Sequence, residues 1–330
     1  MVSLATRYLG LNLRNPLIVG ASSLTMTAKG VRACAAAGAG AVVLKSLFEE
    51  QVRLDTAALD QSLEAEESWH SEVFALMEAN VSMRYGTREY LQVVRDCKAA
   101  TDIPVIASVN CVSTEWWEDF AGEVTAAGAD ALELNIAIMP RTLVTTGAEI
   151  EDRYAEIVKV ARKTVRIPIA VKLGPYFTSI PQVVVRLREA GADGFVLFNR
   201  FYRPTVDIET LTLTAADPYS TSDELAPSVR WICMLAERVS ADFAAATGVH
   251  TPEDVIRVVL AGSNAVQVVS ALYLQGVKHL RVLREGVEEW MESHGYSTLD
   301  EFRGLMCQAR HPDNEMFSRC QYIKGLVGME

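Results

Sequence analysis

Eight times along this chain a short apolar run ends in a lysine, an amide or a hydroxyl, and most neighbouring runs are separated by a helical pattern. The runs are Leu17–Ala21, Ala41–Ser46, Pro104–Asn110, Ala131–Asn135, Ile167–Gly174, Gly194–Asn199, Ala241–Thr247 and Ala265–Ser270. Continuous apolar runs bounded by turn residues read as strands buried on both faces, which is the pattern of parallel sheets. About eight such strands alternating with helices match a (β/α)8 TIM barrel, of α/β class, better than an open doubly wound sheet. No GxGxxG follows the first strand to favour the open sheet. The 330 residues, half of them hydrophobic, suffice for one barrel domain spanning 1–330.

The surrounding chain fits this frame. Leu4–Leu13 has strand composition broken by Gly10 and predicts an N-terminal β-hairpin. Thr27 is placed to cap a helix reaching about Ala37, and Thr251-Pro-Glu-Asp supplies a cap, a first-turn proline and acidic residues for another. Two connections are long. Leu47–Gly86, after the second strand, is acidic through Glu49, Glu50, Glu64, Glu66 and Glu67 and carries Trp69, His70, Phe74, Met77 and Tyr85. It reads either as a lid or as a solvated surface helix with a few core anchors. The connection after the sixth strand contains Asp207–Leu213, an expected hairpin arm.

Composition narrows the partners. A formal charge of −11 argues against nucleic acid or anionic membrane, though a local site can still take an anionic small molecule. The six cysteines (Cys34, Cys97, Cys111, Cys233, Cys307 and Cys320) include no CxxC pair or other metal spacing and fit a reducing compartment. The residues following Met1 lack the apolar core of a leader, and no stretch is apolar enough to span a bilayer. A cytoplasmic protein is expected.

In a barrel the chemistry collects where strands end. The strand-end residues here are Ser22, Lys45 with Ser46, Asn110, Asn135, Lys172, Asn199, Thr247 with Gly248, and Ser270. Amides donate to and accept from the carbonyls and N–H groups of a planar ring, and a lysine stabilises negative charge that appears on reducing one. The last two strand ends lie where barrels hold phosphate through backbone N–H groups. Lys172, alone in the apolar run Ile167–Gly174, needs a compensating group: an anionic ligand above it, or a buried carboxylate. The ligand is the favoured partner. Lys172 is equally suited to be the Schiff-base lysine of a lyase or aldolase.

Over nearly its whole length the chain resembles the dihydroorotate dehydrogenase family of FMN-binding barrels. The resemblance rests on Leu9-Gly-Leu-Asn-Leu-Arg-Asn-Pro16, Gly20-Ala-Ser22, Leu44-Lys-Ser46, Pro104–Asn110, Glu133-Leu-Asn135, Val171-Lys-Leu173 with Pro175-Tyr176, and Asn199. Thr247-Gly248, Ala261-Gly262, Val266–Leu272 and Gly295–Gly304 continue it. It implies FMN beside Ala21, Ser22, Lys45 and Ser46, with Lys172 at the pyrimidine edge of the isoalloxazine. Asn110, Asn135 and Asn199 would line flavin or substrate, and Thr247-Gly248 with Val269-Ser270 would take the phosphate. Lys45, Asn135 and Lys172 are then the candidate catalytic residues, in an oxidoreductase of CH–CH bonds and, by family, of pyrimidine biosynthesis. A homodimer is implied by analogy with related soluble enzymes, and because the chain shows no iron–sulfur or metal ligand set, electrons are expected to leave the flavin directly or through a redox partner.

The departures bear on the substrate. The family follows its fourth-strand asparagine with Asn-Leu-Ser-Cys-Pro-Asn, whose Cys (Ser in the membrane-linked class) is the catalytic base. Here the stretch reads Asn135-Ile-Ala-Ile-Met-Pro140, so Ile138 holds the base position and Pro140 that of a substrate-contacting asparagine. The family's substrate loop is replaced by Asn80-Val-Ser-Met-Arg-Tyr-Gly86, and Arg200-Phe-Tyr-Arg203 follows Asn199. General acid–base help contributes about 10²–10⁴-fold, so losing it argues against dihydroorotate as the substrate. Arg84, Arg200 and Arg203 suggest another carboxylate, with Tyr85, Tyr176 or Tyr202 in place of the missing base. A flavin-binding subunit or sensor without dehydrogenase activity is the reading from a different class.

Overall fold

The computed structural model describes residues 2–51, 86–114, 117–140, 142–200, 203–215, 217–312 and 317. Eight parallel strands close into a barrel: β3 (Leu17–Val19), β4 (Ala41–Val43), β6 (Val105–Cys111), β7 (Ala131–Ile136), β8 (Ile169–Leu173), β9 (Gly194–Leu197), β12 (Asp242–Ala245) and β13 (Ala265–Val268). Each pairs with its neighbours in chain order, and β13 pairing with β3 closes the ring. A two-residue strand, β5 (Leu47–Phe48), continues the ladder along β6 beyond the end of β4. The (β/α)8 expectation is met.

Because side chains alternate along a strand, one parity of each barrel strand faces inward. That parity forms a compact cluster: Ile18, Ala41, Val43, Ile106, Ala131, Ala170, Val196, Ala244 and Ala265. Many of these are alanines, which leave space on the axis. The hairpin of β1 (Thr6–Tyr8) and β2 (Leu11–Leu13) fills it from below with Tyr8, Leu9 and Leu13. Its turn has φ 53° at Leu9 and 72° at Gly10. A left-handed leucine is strained. Burial of its side chain and a 2.6 Å hydrogen bond from its N–H to Asp242 Oδ2 hold it there.

The other parity packs against the helices, whose apolar faces are set by 3.6-residue spacing. Val94, Ile157, Val158, Val184, Val255 and Val258 are fully or almost fully buried in this outer layer. Each such side chain contributes roughly 1.5–3 kcal/mol relative to exposure. The expected caps are present: Thr27 Oγ1 accepts from Gly30 N, and Thr251 with Asp254 forms a capping box.

The connection after the sixth barrel strand carries an antiparallel ribbon, β10 (Pro204–Asp207) and β11 (Thr212–Ala215). Asp207–Leu213, expected as one hairpin arm, instead spans the turn. The Asp207 carboxylate accepts from the N–H groups of Glu209 (2.9 Å) and Thr210 (3.0 Å), so it bends the chain rather than extending it. Of the long connection after the second strand, residues 52–85 lie outside the described residues, and with them both expectations, the lid and the surface helix.

Candidate active site

Strand register explains why scattered polar residues meet. Asn110 on β6 is level with Asn135 on β7, and Asn135 with Lys172 on β8. All three share parity with the inward-facing Ile106, Ala131 and Ala170, so they form one row at the carboxyl end of the barrel. Asn199, just past β9, is drawn in by its N–H bond to Leu173 O (2.7 Å). Its Nδ2 donates to Asn135 Oδ1 at 2.9 Å. Lys45 has the parity of Ala41 and Val43 and is half-buried above β4, beside Ser46, whose hydroxyl meets Ser108 Oγ at 2.8 Å.

A cavity of about 190 Å³ opens next to this row. Ala21, Lys172, Asn199, Thr247, Gly248, Val269 and Ser270, all singled out from the sequence, line it together with Arg200 and Gln267. Thr247 and Gly248 take consecutive left-handed conformations, φ 69° and 84°. Thr247 is held there by its hydroxyl, which donates to Phe198 O at 2.9 Å. At Gly248 a Cβ would lie 2.4 Å from Leu225 N, so both the φ and the space require glycine. The Gly248 N–H donates to Ser220 Oγ (3.2 Å), and the Ser220 N–H donates to Ser270 Oγ (3.0 Å). Ser22 turns inward, its hydroxyl donating to Gly20 O at 3.1 Å.

Not every expected residue reaches the cavity. Tyr176 is 70% exposed, and Tyr202, Tyr85 and Arg84 lie outside the described residues. Arg200 and Arg203 share the carboxylate of Glu224, with Arg200 Nε 3.0 Å from it, and Arg203 is exposed. Burial works against the Glu224 charge, but the Arg200 hydrogen bond, the Thr221 N–H and both guanidinium charges hold its pKa below the ordinary value. Two arginines on one glutamate leave a single net positive charge at this rim. Ile138 is half-buried and packs against the main core. It follows Ile136, whose carbonyl accepts from the Tyr154 hydroxyl at 2.8 Å.

The sequence reading passed over the groups beneath Lys172. Its ammonium donates to Gln267 Oε1 (2.9 Å), and Gln267 Nε2 donates in turn to Glu133 Oε2. Both Gln267 and Glu133 are buried. Burial raises the Glu133 pKa, against the opposing pull of Lys172 and the Gln267 amide. A buried carboxylate therefore does lie within electrostatic reach of Lys172, the alternative the sequence reading did not favour. The signal was present: two long polar side chains at inward parity in otherwise apolar strands. A Cβ on Gly20, just past β3, would meet Val269 Cγ2 at 2.8 Å and Gln267 Oε1 at 3.3 Å, so glycine there leaves room for both side chains.

Among the described residues no cluster of His, Cys, Asp or Glu could hold a metal ion, and no helix is long and apolar enough to cross a membrane. The family model for dihydroorotate dehydrogenase matches residues 71–291. The chain is 27% identical over 309 residues to the dihydroorotate dehydrogenase B (NAD(+)) catalytic subunit of Pyrococcus abyssi, covering 92% of this chain and 98% of that protein. The proteins of the same name from Pyrococcus furiosus (26%; 92% and 99% covered) and Methanothermobacter thermautotrophicus (27%; 92% and 98%) are similar throughout. The barrel whose mouth gathers amides and an ammonium is thus matched along its length: the chain belongs to the dihydroorotate dehydrogenase family, whose members are FMN-dependent oxidoreductases acting on CH–CH bonds.

Proposed function

We propose that the chain exchanges hydride between FMN and a small anionic substrate other than dihydroorotate. The supporting observation is the row Asn110–Asn135–Lys172, present at the mouth, with Ile138 packed where the family carries its base. A phosphate-bearing isoalloxazine asks for hydrogen-bond partners along its pyrimidine edge, a cation near the charge that reduction creates, and backbone N–H groups for the phosphate. The row and Asn199 offer the first two. Thr247-Gly248 with Val269-Ser270 offers the third, at a place where the Gly248 N–H already meets a hydroxyl oxygen, that of Ser220. The donor set fits the cofactor, with Ala21, Ser22, Lys45 and Ser46 flanking the ring.

Bound FMN supplies a two-electron acceptor. The protein's share is to orient the ring, place Lys172 at its electron-rich edge and present the substrate. Arg200 and Arg203, net positive after Glu224 is counted, favour a substrate carboxylate at the rim. Asn135 and Asn199, already joined, can hold its polar atoms. A proton donor other than a Cys or Ser at position 138 is required. A redox partner protein, a homodimer and a cytoplasmic setting belong to the same proposal. The relatives are named as catalytic subunits, which supports the partner, and the five cysteines among the described residues, all free and buried, support the compartment.

Purified protein should show flavin absorption bands or gain them on reconstitution with FMN. Anaerobic mixing with a panel of saturated and unsaturated carboxylic acids should bleach or restore those bands with one acid and not with dihydroorotate or orotate. Rapid turnover of dihydroorotate would refute the substrate half. Flavin binding with no responsive acid would support the second reading, a flavin-binding subunit without its own dehydrogenation, which the apolar Ile138 favours.

A further inference from the structure

The barrel axis holds a column of polar side chains. From the floor upward these are Tyr8 on the plugging hairpin, Glu133 on β7, Gln267 on β13 and Lys172 on β8. Tyr8, Glu133 and Gln267 are 1%, 1% and 3% exposed. Two atoms in the column, Tyr8 Oη and Glu133 Oε1, are buried without a hydrogen-bond partner. Orphaned buried polar atoms are costly, about 1–3 kcal/mol each, and call for an explanation. A carboxylate kept here for stability alone is hard to justify, because an apolar side chain of similar volume would do as well or better.

The geometry directs the carboxylate at the mouth. Gln267 fixes the direction of the link: its oxygen takes the Lys172 ammonium and its amide hydrogen goes to Glu133. The ammonium is thus tethered from below, by a neutral amide carrying a carboxylate on its far side. We propose that Glu133 is a positioning residue for Lys172, setting from inside the barrel how much positive charge that ammonium presents to whatever ring lies above it. This rests on the FMN reading. With the carboxylate in place, part of the lysine's field is cancelled. With it neutralised, the full charge acts on the edge where reduction deposits negative charge, and the reduced cofactor is held more tightly relative to the oxidised one.

The test compares FMN-loaded wild type, Glu133→Gln and Glu133→Asp at one fixed pH, reading the two-electron midpoint potential against a reference dye. A separate titration of apoprotein with FMN gives affinity by fluorescence quenching. Glu133→Gln should favour reduced over oxidised FMN by about tenfold more than wild type, an upward shift of about 30 mV. Glu133→Asp should stay near wild type. In a Lys172→Met background the Glu133→Gln shift should disappear, because the carboxylate acts through the lysine. If Glu133→Gln fails to fold, Glu133→Met removes the same charge without asking for a hydrogen bond and should give the same shift. A potential unchanged in these neutral variants, with FMN bound and only melting temperature altered, would leave Glu133 a packing residue and overturn the inference. If even wild type takes up no FMN in the separate titration, the cofactor reading itself fails and this inference falls with it.

Discussion

The floor and the mouth of the barrel both concentrate charged side chains, and they manage them in opposite ways. At the floor, around a trough of about 880 Å³, three of the five lining arginines are paired with carboxylates: Arg162 with Asp193 at 3.1 Å, Arg303 with Asp300, and Arg310 with Glu237. Asp242 adds a bond from the Leu9 N–H, and Asp193 accepts from the Ile169 N–H at 2.9 Å. At the mouth, Lys45 and the Asn110 amide make no hydrogen bond among the described residues, and Lys172 is held from below by a neutral amide. Matched charges at a solvated rim contribute little each and keep the plug in register. Lys172, held among the described residues only by that amide, lines the cavity together with Asn199, Thr247 and Ser270, and polar groups gathered around one concave site are the pattern of a ligand pocket.

Four substitutions test that contrast. Lys172→Met should leave folding intact while weakening FMN binding by about 10–100-fold, the loss of one charged hydrogen bond, measured by quenching titration. Its melting temperature should fall modestly, because the buried Gln267 Oε1 loses its donor. Asp242→Ala at the floor should do the reverse. Leaving the strained Leu9 amide without its acceptor should cost about 1–3 kcal/mol by urea unfolding, with FMN affinity unchanged. Loss of affinity in this variant would break the division between the two ends.

The third is a pH profile. Glu133 has its pKa raised in the folded protein, so between the unfolded and folded values the native state holds the extra proton, and stability falls as pH rises through that window. The slope there is at most about 1.4 kcal/mol per pH unit. Lys172, Tyr8 and Tyr90 are the titratable groups that face it. Glu133→Gln should flatten the decline above the ordinary glutamate pKa, seen as a gain over wild type that grows with pH through that window and then levels off. An identical pH dependence in the two proteins would mean the carboxyl is not shifted. Smallest of all, Tyr8→Phe removes a buried hydroxyl that has no partner and should raise stability by about 1 kcal/mol, the low end of the cost of an orphaned buried group.

Much of the barrel was legible because its signals are local. Alternating short apolar runs, Thr27 and Thr251 as caps and the break at Gly10 each act within a few residues. The strand-end residues were legible too, since closing eight such strands necessarily brings their ends together, and five of them (Lys172, Asn199, Thr247, Gly248 and Ser270) line one cavity with Arg200. What the sequence hid depends on partners far along the chain. Glu133 and Gln267 are 134 residues apart and meet only across the barrel axis. Glu224, which takes up both arginines, sits 24 residues beyond Arg200. The exposure of Tyr176 and the bend at Asp207 were likewise fixed by tertiary position and by side-chain bonding, which composition alone does not specify.

The plug also dictates an order of assembly. Its hairpin is synthesised before the strands that seat it: the acceptor for Leu9 is 233 residues later and the carbonyl that receives the Thr6 hydroxyl, on Asn264, is 258 residues later. Such distant contacts are slow to form and leave apolar surface waiting. Until β12 and β13 have been made, Tyr8, Leu9 and Leu13 have no floor to seat in. The hairpin is therefore a sticky segment during synthesis, one that a chaperone or an unfinished neighbouring copy would meet before the barrel closes over it.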